Sequence, residues 1–233
     1  MSFDLDFAID LFWKSISAAR ITLLITVVSL FLGLPLAFLI AIIRLKRIVI
    51  LNQISQIYIS FIRGTPMIIQ IYIIFYLVPG LLKGLFTELR IPINAYDIHP
   101  IIYAFIVFTL HTGACLSEVF RAALATVDKG QREAALASGL SGWQTYIRII
   151  LPQAFVVAIP NICTTTVGVL KGTSLVFAMA IKDITATARV EANANYKFVE
   201  AYLDILIIYI IICYLVEKIF KMVEKSISNY RTI

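Results

Sequence analysis

Residues 133–152 read EAALASGLSGWQTYIRIILP. The stretch is polar and rich in small residues, yet long apolar runs flank it on both sides. Just upstream, Asp128-Lys-Gly-Gln131 places a capping acid three residues before a Gln, the pattern of a helix start. A first helix is expected from Lys129 to Ser138. Gly139 suits the position just past its end, where a left-handed backbone is cheap. Ser141-Gly-Trp-Gln144 repeats the capping pattern and starts a second helix that leads into the next apolar run. Ala134, Ala137 and Ser138 share one helical face by their spacing, so a second surface could approach closely there. An ordinary solvated loop between two spans is the plainer reading of the same residues.

Outward from this segment, charge decides the class. Residues 21–43, 64–82, 98–117 and 149–170 contain no Asp, Glu, Lys or Arg. Each is close to the roughly 20 residues that an apolar helix needs to cross a bilayer. With 61% hydrophobic residues and a mean hydropathy of +0.92, the chain is far more apolar than a soluble domain requires. Five spans are expected, at about 18–43, 52–78, 98–124, 151–171 and 201–220, with a polar loop at 125–150. Pro79-Gly80 is the expected stop of the second span. A short interfacial helix precedes the first span, where Asp4, Phe7, Asp10 and Trp13 alternate in character. The N-terminus lacks a basic region, so a cleaved signal peptide is not expected.

The net charge of +6 reflects 20 Lys+Arg against 14 Asp+Glu. In a multi-spanning chain such an excess marks topology rather than nucleic-acid binding. Arg44, Lys46, Arg47, Arg121, Lys129, Arg132, Arg148, Lys218, Lys221, Lys225 and Arg231 fall on the side of the 125–150 loop. That side is therefore expected to be cytoplasmic, with the N-terminus outside and the C-terminus inside.

A charge inside a span is costly, so it faces a partner or a cavity. Arg63, within Arg63-Gly-Thr65-Pro66, is the clearest case. It suits a cation beside a translocation path, or a structural pair with Glu118. Pro66 and Gly64 weaken the helix beside it, and irregular backbone at membrane depth tends to line a cavity. His111, Cys115 and Glu118 stand four and three residues apart and so form one stripe. Thr173 and Ser174 offer hydroxyls to neighbouring helices or to a ligand. Cys115, Cys163 and Cys213 sit singly in apolar runs and read as small hydrophobes. The chain has no metal-ligand spacing. It has no Gly-Lys dipeptide, hence no Walker A loop for ATP.

Glu133-Ala134-Ala135, Gly139, Ile149 and Leu151-Pro152 stand at the spacing of the EAA motif, and the segment resembles the coupling loop of ABC-importer permeases. Residues 118–123 (EVFRAA), 127–132 (VDKGQR), Arg63-Gly-Thr-Pro66 with Gln70, and 171–175 (KGTSL) resemble the polar amino-acid branch of that family. The wording around 60–65 and 171–177 is most similar to cystine-type systems. The resemblance implies an all-α integral membrane protein of the type I importer permease architecture, with five transmembrane helices and a cytoplasmic coupling helix. It further implies that Glu133, Ala134, Ala135 and Gly139 contact a separate ATPase, which alone would bind ATP. A second permease subunit, identical or related, and an extracytoplasmic solute-binding protein would complete the assembly. Arg63, Thr65, His111, Cys115, Glu118, Thr173 and Ser174 are the candidates for the substrate path. Two other classes compete with this reading: an intramembrane hydrolase pairing Ser117 or Ser174 with His111, and an ATP-independent channel or secondary carrier.

Overall fold

The computed structural model describes residues 3–227. Ten α-helices follow one another: α1 (Leu5–Ser17), α2 (Ala19–Leu45), α3 (Val49–Gly64), α4 (Met67–Glu88), α5 (Pro100–Ala125), α6 (Lys129–Ala137), α7 (Gly142–Thr145), α8 (Leu151–Gly172), α9 (Ile184–Asn195) and α10 (Phe198–Ile227). Five helical runs are long and apolar enough to span a membrane: Leu5–Leu45, Met67–Glu88, Pro100–Ala125, Gly142–Met179 and Phe198–Ile227. Arg231, counted above with the basic end of the chain, lies outside the described residues.

The α2–α5 pair is the spine. The two helices run parallel: Ile25 packs in one layer with Tyr103, Ala104 and Val107, and Ala37 and Ala41 pack in another with Leu116, Phe120 and Ala123. Gly33 sits between those layers against Thr112 and Gly113. Small residues let the backbones approach, which is how apolar helices associate where no hydrophobic effect separates protein from lipid. Antiparallel to them, α8 places Ala154 and Ile162 in the second layer and Val169 in the first, with Ile150, just before it, also in the second. A third cluster, with Leu170, Ile184, Ile208 and Cys213 at its centre, joins α8, α9 and α10.

The second span departs from expectation. Its helix breaks at Thr65 and Pro66, both extended, so α3 ends at Gly64 and the long apolar helix is α4. Pro66 disfavours helical geometry at the residue before it, and that local rule wins here. Pro79, expected to end the span, lies buried inside α4, which continues to Glu88. An apolar helix with neighbours to pack on tolerates the lost N–H that would end a helix in water. Residues 81–88, beyond that expected stop, are the last part of α4.

Gln70 staples the break. Its buried amide nitrogen donates to the Ile62 carbonyl at 2.7 Å and lies 3.0 Å from both the Thr65 carbonyl and its hydroxyl. Gln70→Leu removes these donors from acceptors that water reaches poorly. The expected cost is about 2 kcal/mol of folded stability, read as a lower unfolding midpoint of the purified protein. An unchanged midpoint would mean that the α3–α4 corner holds without its staple.

Candidate functional site

Two places carry the candidate residues. The first is the polar segment between α5 and α8. Asp128 accepts from the Gly130 N–H and so caps α6, while no reciprocal bond from Gln131 completes that box. At the other end Gly139 takes φ +86°. Gly139 N–H donates to the Leu136 carbonyl and Leu140 N–H to that of Ala135, the paired closure of a glycine-ended helix. Ser141 and Gln144 then bond reciprocally and start α7. A π-helical stretch, Tyr146–Ile150, carries the chain into α8.

This places the four residues of the motif unequally. Glu133, Ala134 and Gly139 are exposed, whereas Ala135 is buried at 7%. Ala135 is therefore turned away from solvent. The 100° step of the helix turns it inward while Glu133, Ala134 and Ala137 face out. Leu136 and Trp143, the latter 72% exposed, add apolar area to the same segment. Spacing alone did not single out Trp143.

The second place is a cleft of about 640 Å³ lined by Arg44, Gln56, Ile59, Ser60, Arg63, Gly64 and Glu118. Glu118 is clamped between two guanidinium groups. Its Oε2 accepts from Arg121 Nη2 at 2.8 Å and from Nε at 3.0 Å, and its Oε1 accepts from Arg44. Arg63 is exposed to the cleft and, among the described residues, forms no ion pair. The structural pair Arg63–Glu118 is thus not formed; Arg44, from the end of α2, takes that place. The cleft lining carries two guanidinium groups, Arg44 and Arg63, against one carboxylate, and Arg121 adds a third guanidinium on Glu118 from the neighbouring hollow. A smaller neighbouring hollow adds Arg47 and Asn52.

Cys115 Sγ stands 3.6 Å from His111 Nε2 on the expected stripe of α5. Tyr58 donates its hydroxyl to the Leu110 carbonyl and ties α3 to this wall. Thr65, which follows the lining residue Gly64, gives its hydroxyl to the Phe61 carbonyl. Thr173 is fully buried and donates to the Leu170 carbonyl, so it does not face the cleft; Ser174 beside it is half-buried. The structure thus brings Arg63, Glu118, Cys115 and His111 to one region and leaves Thr173 out of it. Arg44 and Gln56 are the residues that sequence reasoning missed there. Another hollow, about 780 Å³, is lined by apolar residues such as Leu34, Phe38 and Phe155. Among the described residues no polar side chain lines it to orient a polar solute.

Ser117 is fully buried and donates to the Ala114 carbonyl. Among the described residues neither it nor Ser174 is hydrogen-bonded to His111, whose ring partner is Cys115. A serine nucleophile needs such a bond to its base.

Residues 33–229 match the family described as the binding-protein-dependent transport system inner membrane component. The chain belongs to that family. This permease is 37% identical over 212 residues to the L-cystine transport system permease protein TcyL of Bacillus subtilis (strain 168), covering 91% of this chain and 86% of that one. It is 36% identical to the probable amino-acid permease protein YxeN of the same organism, over 98% of both chains. A crystal structure of an amino acid ABC transporter with histidines superposes with a TM-score of 0.81 at 24% identity, covering 97% of the permease and 100% of that chain. The fold is that of the ABC type I importer permeases, and the permease is a multi-pass inner-membrane protein of bacteria. It is the translocating component of an importer and not an enzyme; ATP hydrolysis belongs to another chain.

Proposed function

We propose that the permease moves a polar amino acid, cystine in the first instance, inward through the membrane. Its 37% identity to a cystine permease over nine-tenths of the chain carries the cargo assignment. A second cystine permease, TcyB of the same organism, is 32% identical over 94% of the chain. The cleft is chemically suited to such a cargo. Its surplus of guanidinium charge favours a carboxylate, and Arg63 is the group left free to meet it.

The N-terminus lies outside and α6 in the cytoplasm. Two permease subunits pair, and a solute-binding protein delivers the cargo from outside. ATP is bound by the ATPase subunits alone. The exposed face of α6, with Glu133, Ala134 and Gly139, seats in a groove of the ATPase as a short helix does. Its motion reaches the cleft by a short path. α6 hangs between the end of α5 and the start of α8, and Leu124 and Ile150 pack in one layer there with Phe120. Glu118 lies on that same part of α5, so a tilt of α6 shifts the Arg44–Glu118–Arg121 clamp. ATP binding drives the cleft to face outward and hydrolysis resets it.

The test is uptake of labelled cystine and of labelled arginine into vesicles holding the permease, its ATPase and the binding protein. ATP-dependent cystine uptake is expected, with at least a tenfold loss in Glu133→Lys. Arginine uptake without cystine uptake would overturn the cargo, and full activity of the lysine variant would overturn the docking of α6.

A further inference from the structure

Where α2, α9, α10 and the 3-10 turn Thr173–Met179 meet, a group of oxygens is sealed inside the protein. Asp183 caps α9 through Oδ1, which accepts from the Ala186 N–H at 2.8 Å. Its residue is 0% exposed and its Oδ2 has no hydrogen-bond partner. Thr22, also 0% exposed, and Thr185 likewise have unpartnered hydroxyls. The Tyr209 hydroxyl comes within interaction range of Thr22, Thr173, Thr185 and the Asp183 carboxylate but closes a well-formed hydrogen bond with none of them. Thr173 spends its proton on the Leu170 carbonyl, so its oxygen turns only lone pairs to the group.

No cationic side chain answers this carboxylate: among the described residues Asp183 is in no ion pair. Leu170, Ile184 and Ile208 close the surroundings with apolar atoms. Burial pushes the Asp183 carboxyl up to about 6, against the pull of its bonds to α9 N–H groups. A fully buried acid of this kind requires either a proton or a counter-charge.

The donors are all oxygen, and a single carboxylate stands among neutral hydroxyls. Hard alkali cations take such ligands, whereas thiol- and imidazole-seeking metals do not. A divalent ion would leave one positive charge uncompensated in an apolar setting. We propose that Asp183, Thr22, Thr173, Thr185 and Tyr209 hold one sodium ion, which locks α9 against α2 and α10. Thr22 and Arg44 lie at opposite ends of α2, so the site is remote from the clamp around Glu118. Bound there, the ion would serve the fold of this face rather than drive transport.

The purified permease–ATPase complex tests this with labelled sodium, measured for binding at equilibrium at neutral pH. Saturable binding near one ion per permease chain is expected, displaced by unlabelled sodium and not by choline. Asp183→Asn keeps the cap on α9 but removes the charge, and should abolish binding. Thr22→Val and Tyr209→Phe change one hydroxyl each and should weaken it at least tenfold while the complex stays assembled. The unfolding midpoint should rise with sodium over choline in the wild type and not in Asp183→Asn. Absent saturable binding, or a midpoint indifferent to the cation, would mean that the group holds only water or a proton, and the proposal would fall. Binding unchanged in Thr22→Val and Tyr209→Phe would overturn it equally.

Discussion

Glu118→Ala should lower the stability of the folded permease by about 3 kcal/mol, the low end of the cost of removing one partner from a buried ion pair. The carboxylate it deletes sits between Arg44 of α2 and Arg121 of α5, with side-chain exposures of 17% for Arg44, 20% for Glu118 and 38% for Arg121. The loss of attraction is the smaller part. Two guanidinium groups, with Arg63 on the same cleft, are left beside one another without a counter-charge. Arg121 is the most exposed of them and is partly screened, which keeps the cost from the top of the range. Glu118→Gln keeps the shape and one acceptor and should fall between. If uncompensated charge is the cause, Arg44→Met in the Glu118→Ala background should restore part of the stability. An unfolding midpoint unchanged by Glu118→Ala would mean that the clamp is an ordinary surface pair. Uptake should fall with it, because the clamp joins α2 to α5, the wall against which α3, the helix that carries Arg63, packs.

The clamp also marks where sequence reasoning stops. Arg121 three residues after Glu118 is a helical neighbour visible in the text, and that pair is formed. Arg44 is 74 residues away from Glu118. Only the parallel packing of α2 on α5 brings the two together, and periodicity says nothing about which helices pair. The number of spans was legible because charge is excluded from four whole runs, a signal of about 20 residues, whereas the bounds of the second span were not. Gly139 was legible because a left-handed helix end needs so little beyond a glycine in the right place. Pro66 and Pro79 carried the same local signal and behaved differently. Pro66 sits beside Gly64 and Thr65, and the chain breaks there; Pro79 lies within an apolar helix that continues. Ala135 reads as part of a motif, and its inward turn is a matter of helix phase against neighbours, which the motif does not encode.

The stability of the spine turns on Gly33. A methyl group built there would lie 2.7 Å from Thr112 Cγ2, 2.8 Å from Thr112 Cβ and 3.3 Å from the Gly113 backbone nitrogen. Thr112 is fully buried, and its Cβ is fixed to the α5 backbone, so no rotamer change makes room. Gly33→Ala must push α2 away from α5 along their whole contact. Overpacking of this kind costs about 1–3 kcal/mol, against the roughly 1 kcal/mol that alanine gains over glycine in a helix. The expected net loss is up to about 2 kcal/mol, and Gly33→Leu should prevent assembly of the complex. Gly113 provides the control. A methyl there would meet Leu36 Cδ2 at 2.7 Å, the movable end of a flexible side chain. Gly113→Ala should therefore be close to neutral, although it sits at the same interface. Thr112→Ser should rescue Gly33→Ala only in part, since it removes the contact at 2.7 Å and leaves the one at 2.8 Å. Equal midpoints for Gly33→Ala and Gly113→Ala would show that the two helices slide freely past one another. A lower midpoint for Gly33→Ala alone would show that the α2–α5 register, and with it the meeting of Arg44 and Glu118, is held at this one close approach.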